Sequence, residues 1–287
     1  MRRGRNIVRQ VILEGVPMRE LAARCGCSAS AVRHRLGDKL RATLNRPSPL
    51  LLPDNGGFVL VVDALWYYFR KHGLWVLYNM ALRPIPGSMA FFLDPLMLEG
   101  REHENKWRKA IATISPTIRA RIRAFVADGF RSAGQLAQEN GWIYQRCHYH
   151  LLAPLQSCLG TRPSTPDKKK RTAIYRLLCT ALTTEDRQEL AAVLESLHEL
   201  QAGGVRRATR WPGVIRQFLR DVGAFRAYLD YPDLQLPSTS NTVEAMHGLL
   251  RRVTAHVNNP DAVLRRAKAF IRLHPQITCQ GTLQQQK

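Results

Sequence analysis

Two aspartates stand at positions where their carboxylates would suit a metal ion. Asp63 follows the apolar run 58–62, and Asp128 follows the apolar run 122–127 and precedes Gly129. Two carboxylates that lie close together repel each other unless a cation lies between them. Their oxygens are hard ligands, which favour Mg²⁺ or Mn²⁺. The pair therefore predicts a divalent-metal site, although an aspartate after a strand often only caps a turn.

A third carboxylate, Glu244, would complete a site for two ions. It lies in the segment 240–244 (SNTVE), and Glu244, His247 and Arg251 recur at the spacing of one helical face. Such a face could contact a metal and a phosphate together. The same spacing fits a capping box, in which Asn241 caps the helix and Glu244 bonds back to it. From spacing alone both interpretations stay open.

The apolar segments around these acids predict the sheet that positions them. Continuous Val-rich runs are typical of strands buried on both faces. The predicted strands are 58–62, 74–79, 88–93, 122–127 and 142–146, and the predicted helices between them are 101–114 and 132–139. This β-β-β-α-β-α-β order is that of a ribonuclease-H-like fold, with its first and fourth strands side by side. Because ligands bind at the carboxyl ends of such strands, we expect Asp63 and Asp128 to meet at one edge.

The chain becomes helical after about residue 150. Helices are predicted at 183–200, with Thr183 as a cap, and at 214–229, and a last helix begins near Asn241. The sequence therefore predicts a long helical segment between the sheet and Glu244.

The first 46 residues carry 11 Lys or Arg against 3 Asp or Glu, a net charge of +8. Helices are predicted at 5–14, at 18–24 and after a cap at Ser28. The spacing of Ala22, Gly26 and Val32 is typical of a helix-turn-helix, whose second helix enters the major groove of DNA. The residues that would face DNA are Ser28, Ser30, Arg33, His34 and Arg35. An ordinary helical hairpin is the alternative interpretation.

Composition points to the same class of partner. The 287 residues include 43 Lys or Arg and 22 Asp or Glu, a net charge of +21. A surface this basic attracts a polyanion, and nucleic acid is the first candidate, although a basic surface also serves solubility. No apolar run approaches the roughly 18 residues of a membrane span, and the N-terminus lacks a secretory signal. With 6 Cys and no such signal, we expect a reducing cytoplasm rather than a disulfide scaffold.

Taken in order, these motifs resemble the Mutator-like DDE transposases. The residues that carry the resemblance are FVLVVD (58–63), VADGFR (126–131), RCHYHL (146–151) and SNTVE (240–244). That family has a Cys-x-x-His signature after the strand that follows the second aspartate, and Cys147 and His150 fit it. It also has a helical insertion before the glutamate, which residues of about 151–235 fit. By themselves, Cys147 and His150 could form half of a structural zinc site, but no other pair of ligands with suitable spacing completes it.

The resemblance implies a mixed α/β fold and a transposase function. A helix-turn-helix domain (1–46) and a linker (47–57) would precede a ribonuclease-H-like catalytic domain (58–287). Asp63, Asp128 and Glu244 would hold two Mg²⁺ or Mn²⁺ ions.

Further residues implied to contact DNA are Trp142, Cys147, His150, His247 and Arg251. The implied partners are the terminal inverted repeats, target DNA and a second copy of the chain in a homo-oligomer, a dimer, in a prokaryotic cytoplasm close to the nucleoid. A catalytically inactive DNA-binding regulator and a plain ribonuclease-H-like nuclease are the alternatives.

Overall fold

The computed structural model describes residues 7–46, 52–156, 168–202, 211–274 and 276–278. The chain divides into two compact units. Unit 1 comprises Met1–Ile122 and Asn241–Lys287, and unit 2 comprises Arg123–Ser240. The predicted boundaries at 46 and 57 remain a prediction, and residues 47–51 of the predicted linker lie outside the described residues.

Unit 1 contains an antiparallel sheet. Its strands are β1 (Gly57–Phe69), β2 (Gly73–Ile85), β3 (Met89–Phe92), β4 (Leu96–Glu99) and β7 (Gln276–Thr278). β1 and β2 pair along their whole length as a hairpin, β3 and β4 each pair with β2, and β7 pairs with β3. The predicted three-strand meander is therefore present, with β4 and β7 in addition.

The first strand is longer than predicted. Asp63 lies within β1 and pairs with Asn79 of β2, so the prediction that the strand ends at Asp63 is wrong. Residues 58–62 are buried on both faces, whereas beyond Asp63 the strand is buried on one face only. Leu65 faces inward, and Tyr68 on the other face is 79% exposed. Residues 64–69 (ALWYYF) are again apolar or aromatic, so the single charged residue Asp63, inside a strand that pairs along its whole length, is what made the strand seem to end there.

Helices complete unit 1. They are α1 (Ile7–Ile12), α2 (Met18–Arg24), α3 (Ala29–Leu44), α4 (Glu104–Ala112), α5 (Pro116–Arg119), α12 (Asn241–Val253) and α13 (Pro260–Leu273). Ser28 caps α3 as predicted, since its Oγ accepts a hydrogen bond from the Ala31 amide at 3.1 Å. Helix α12 packs against β1 and β2, and α13, which the sequence analysis did not predict, packs against α1 and α3.

Unit 2 contains two parallel strands and a helical core. Its elements are β5 (Ile122–Ala127), α6 (Ala133–Glu139), β6 (Ile143–Arg146), α7 (His148–Gln156), α8 (Lys168–Thr183), α9 (Arg187–Ala202), α10 (Trp211–Arg220) and α11 (Val222–Asp230). Apolar side chains from α7 to α11 form one buried cluster. A helical segment is therefore present where the sequence predicts one.

Two helix predictions in this segment are wrong. Thr183 ends α8 instead of capping the next helix, and its hydroxyl donates to the Cys179 carbonyl at 3.0 Å. The predicted helix 214–229 is interrupted at Asp221. The Asp221 carboxylate accepts hydrogen bonds from Arg146 and Arg220, which hold it between α10 and α11.

The fold is mixed α/β, as predicted. The antiparallel β1–β2–β3 part, the helix α4, and the parallel β5 and β6 around α6 follow the element order of a ribonuclease-H-like fold. Among the helices that the structure describes, none combines the length and the apolar character needed to cross a membrane.

Candidate metal and nucleic-acid site

Asp63 is a buried carboxylate in the middle of β1. The residue is 6% exposed, and its Oδ1 accepts a hydrogen bond from the Ala64 amide at 2.8 Å. Its cross-strand partner, Asn79, is 1% exposed. Asn79 is not among the residues predicted from the sequence, although a polar residue in the apolar strand 74–79 is a signal that could have marked it.

His247 approaches this pair from α12. Its Nδ1 lies 3.7 Å from Asp63 Oδ2, and its Nε2 lies 3.0 Å from Asn79 Nδ2. His247 is 6% exposed because α12 packs against β1 and β2, so it belongs to the buried face of the helix. The predicted contact of His247 with DNA stays a prediction.

The other predicted residues of α12 differ in exposure. Glu244 lies one turn before His247 and is partly buried, and Arg251 is exposed in the last turn. The helix begins at Asn241 itself, so the capping position belongs to Ser240. The Ser240 hydroxyl donates to Cys147 Sγ at 3.3 Å. Asn241 is the first residue of the helix, and the capping box of Asn241 and Glu244 stays a prediction.

Asp128 directly follows β5, as predicted, and begins a tight turn. Its Oδ1 accepts a hydrogen bond from the Phe130 amide at 3.2 Å. Gly129 has a φ of +91°, and a Cβ there would overlap the guanidinium of Arg146. The turn therefore requires glycine both for its backbone conformation and for the space that the guanidinium occupies.

Arg146 holds this turn from the end of β6. It is 2% exposed, forms an ion pair with Asp221, and lies over the Phe225 ring at 4.7 Å. Burial alone would raise the pKa of Asp221, but hydrogen bonds and the charges of Arg220 and Arg146 outweigh it and lower that pKa. The buried guanidinium is thus neutralised by a carboxylate that stays ionised at neutral pH.

Two residues predicted to contact DNA are core residues of unit 2. Cys147 is 0% exposed, and its Sγ accepts hydrogen bonds from the Ser240 amide and hydroxyl. Trp142 is 6% exposed and its ring lies 6.0 Å from that of Phe125. Cys147 and Trp142 are thus buried, whereas His150 on α7 is only partly buried, and the predicted DNA contacts of all three stay predictions.

The residues predicted to face DNA from α3 are accessible. Ser28, Ser30, Arg33, His34 and Arg35 are all exposed. Of these, His34 has a partner on its own helix, since its Nδ1 lies 3.1 Å from Asp38 Oδ2. The described geometry leaves this face of the helix open to a ligand.

A cleft of about 760 Å³ lies beside this helix within unit 1. The turn between α1 and α2, the first turns of α2 and α3, the end of α12 and part of α13 line it. Its charged side chains are Arg19, Arg33, Arg252 and Arg266, with Glu14 as the acidic residue. A cleft with mostly one sign of charge concentrates ligands of the opposite sign, so this one suits a polyanion.

The predicted metal ligands fit Mg²⁺ or Mn²⁺ by donor chemistry, because every donor is a carboxylate oxygen. Asp63 and Glu244 belong to unit 1, on a strand and a helix that pack together, and Asp128 belongs to unit 2. The convergence of all three on shared ions stays a prediction.

Comparisons with known proteins found similarity to solved structures but not to sequence families. No protein-family model matches the sequence, and the search of curated proteins gave no match. The chain is similar to one in the Drosophila P element transposase strand transfer complex, with 12% identity and a TM-score of 0.41 over 95% of this chain and 93% of that one. It is also similar to a chain of the simian T-cell lymphotropic virus intasome in complex with PP2A regulatory subunit B56 gamma, with 12% identity and a TM-score of 0.25 over 68% and 73%.

Proposed function

We propose that this protein is a DDE-type DNA transposase, which binds the ends of its element and catalyses Mg²⁺-dependent phosphodiester hydrolysis and strand transfer. The observation that supports this most is the packing of α12 against β1. The strand carries Asp63 and the helix carries Glu244, so the first and last acids of the motif belong to touching elements although they are distant in sequence.

Asp128 supplies the remaining carboxylate. Gly129 and Arg146 stabilise the turn, so the backbone at Asp128 has a defined position from which its carboxylate can reach a metal. In the proposed site the carboxylates of Asp63, Asp128 and Glu244 hold the metal. Divalent ions held by these carboxylates would supply activation of a water or a DNA 3′-hydroxyl and stabilisation of the leaving oxygen of the phosphodiester. The work of the protein side chains is to fix the positions of the ligands and of the DNA.

DNA binding in this proposal begins in the N-terminal helices. The exposed residues of α3 would read base edges in the major groove, and the arginines of the cleft would bind phosphates. Phosphate contacts position the duplex, whereas base contacts choose the sequence of the terminal inverted repeats. Arg251, exposed in the last turn of α12, and the partly buried His150 are further candidates for contact with DNA.

The test is the substitution Asp128→Ala, assayed on duplex DNA that carries the terminal inverted repeats. We expect the variant to keep DNA binding and to lose Mg²⁺-dependent cleavage, because one metal ligand is gone. Asp233→Ala, at an exposed acid of unit 2, is the matched control and should cleave normally. Cleavage by Asp128→Ala at the wild-type rate would refute the site.

The alternatives give different outcomes with the wild-type protein. A DNA-binding regulator would bind the repeats and cut nothing in Mg²⁺ or Mn²⁺. A plain nuclease would cut but form no joined products when target DNA is supplied. Joined products that depend on Asp128 would support the transposase.

A further inference from the structure

Three buried polar side chains form a connected group in unit 1. Asp63 and His247 are each 6% exposed and Asn79 is 1% exposed. Buried polar groups lower stability unless they find hydrogen-bond partners, so such a group is kept only where its members satisfy one another or serve a function. A hydrogen bond joins Asn79 to His247, and a longer electrostatic contact joins His247 to Asp63.

The amide of Asn79 has only one orientation that fits its neighbours. Its Nδ2 lies 3.2 Å from the Leu77 carbonyl oxygen and 3.0 Å from His247 Nε2. A carbonyl oxygen can only accept, so the atom beside it must be the amide nitrogen. An amide nitrogen can only donate, so His247 Nε2 must be the acceptor.

The tautomer of His247 follows from this. A neutral imidazole that accepts at Nε2 carries its proton on Nδ1, and Nδ1 lies 3.7 Å from Asp63 Oδ2. The other carboxylate oxygen, Oδ1, accepts from the Ala64 amide. Oδ1 of Asp63 therefore has a hydrogen bond from the strand itself, and Oδ2 has the Nδ1–H of His247 at 3.7 Å, an electrostatic contact longer than a hydrogen bond.

We infer that His247, oriented by Asn79, is a positioning residue that holds the carboxylate of Asp63 in the orientation needed for metal binding. This inference rests on the proposed function, in which Asp63 is a metal ligand. Groups that orient a ligating side chain are worth about 10–100-fold in metal affinity or activity. Asn79 acts on Asp63 only indirectly, because its hydrogen bond to Nε2 fixes which ring nitrogen of His247 carries the proton.

The test measures Mn²⁺ binding to the full-length protein by electron paramagnetic resonance, without DNA. We expect His247→Leu, which fills the space but has no donor, to weaken Mn²⁺ binding by about 10–100-fold. Asn79→Leu should weaken it in the same direction. His198→Asn, at an exposed histidine of α9, is the control and should bind as wild type does.

A second pair of variants separates positioning from packing. His247→Asn keeps an N–H near the place of Nδ1, whereas His247→Gln keeps one near the place of Nε2. Both remain polar and buried, so a merely structural role predicts equal Mn²⁺ affinity. A positioning role predicts that the asparagine variant binds more tightly than the glutamine variant. Thermal unfolding of all variants reports on folding separately.

The outcomes distinguish this inference from the proposed function. If Asp63→Ala abolishes Mn²⁺ binding while His247→Leu and Asn79→Leu bind as wild type does, the inference is overturned and the metal site stands. Equal binding by the asparagine and glutamine variants also overturns it. If Asp63→Ala binds Mn²⁺ as tightly as wild type does, the metal site and the inference are both overturned.

Discussion

At the residue scale, His148 shows how burial sets the behaviour of a titratable group. It is 3% exposed, and its Nε2 donates to the Phe225 carbonyl oxygen at 2.6 Å. Burial lowers its pKa to about 4, the Phe225 hydrogen bond opposes that shift, and the charge of Arg226 adds to it. His148 is therefore neutral at physiological pH and has a structural role in unit 2.

This pKa predicts how stability depends on pH. The unfolded chain, with a histidine pKa of about 6.5, binds the proton before the folded chain does, so the contribution is complete above pH ~6.5 and is lost as the pH falls towards about 4. Between about pH 7.5 and pH 5 we expect His148 to account for a loss of about 2 kcal/mol in the free energy of unfolding.

Urea unfolding of wild type and His148→Gln at those two values of pH measures the effect. The glutamine keeps a donor for the Phe225 carbonyl but does not titrate, so its stability should fall less than that of wild type. An equal fall in both proteins would contradict the prediction.

The residues of the proposed metal site differ in how far the sequence predicts them. Asp128 follows its strand as predicted, because a continuous apolar run ended by Asp-Gly is a local signal. The burial of His247 depends on packing against residues of β1 and β2 that are distant in sequence, and helical spacing alone places it on a polar face. Asn79 has no local signal of its partner, since His247 lies 168 positions away.

At the element scale, one arginine of α13 fixes the end of α3. Arg272 Nη1 donates to the carbonyl oxygens of Leu44 and Arg46, at 2.8 Å each, and its Nε donates to Asp94 Oδ1 at 3.1 Å. The last carbonyls of a helix have no partners within the helix, so an arginine from another element can satisfy them. Arg272 thus ties the N-terminal helices to α13.

The substitution Arg272→Gln tests this tie. We expect faster hydrogen exchange at the amides of the last turn of α3 and a loss of about 1–3 kcal/mol in the free energy of unfolding, because charge-assisted hydrogen bonds are removed. Lys268→Gln, on the same helix, removes an equal charge and is the control. Unchanged exchange in the last turn of α3 would contradict the prediction.

Helices and strands are predicted well where the pattern of apolar residues within the segment defines them, and poorly where contacts with residues distant in sequence do. The strand 122–127 and the helix 18–24 are found as predicted, since each has a complete apolar pattern. The helix predicted at 214–229 is interrupted because Asp221 bonds to Arg146, which lies 75 positions earlier. Because the two residues are distant in sequence, the ion pair does not change the pattern of apolar residues in either segment, and the sequence alone does not predict it.

At the scale of the whole molecule, a net charge of +21 predicts a strong dependence of DNA affinity on salt. Each phosphate that the protein neutralises contributes about −0.9 to the slope of log K against log salt concentration. We expect Arg33→Ala and Arg252→Ala, both in the cleft, each to reduce the slope by about one.

Fluorescence anisotropy with a labelled duplex at several salt concentrations measures these slopes. Lys109→Ala removes the same charge at an exposed position of α4 outside the cleft and is the matched control. If all three variants reduce the slope equally, net charge rather than the cleft determines the salt dependence.

Unit 1 is interrupted in sequence, since the chain leaves it after Ile122 and returns at Asn241. During synthesis the ribosome releases β1, with Asp63, long before α12, with Glu244 and His247. A nascent chain that has not reached α12 lacks two of the side chains that the proposed chemistry requires. Prematurely terminated products of translation would thus be unable to nick the chromosome of the cell that makes them, even if their N-terminal helices already held DNA.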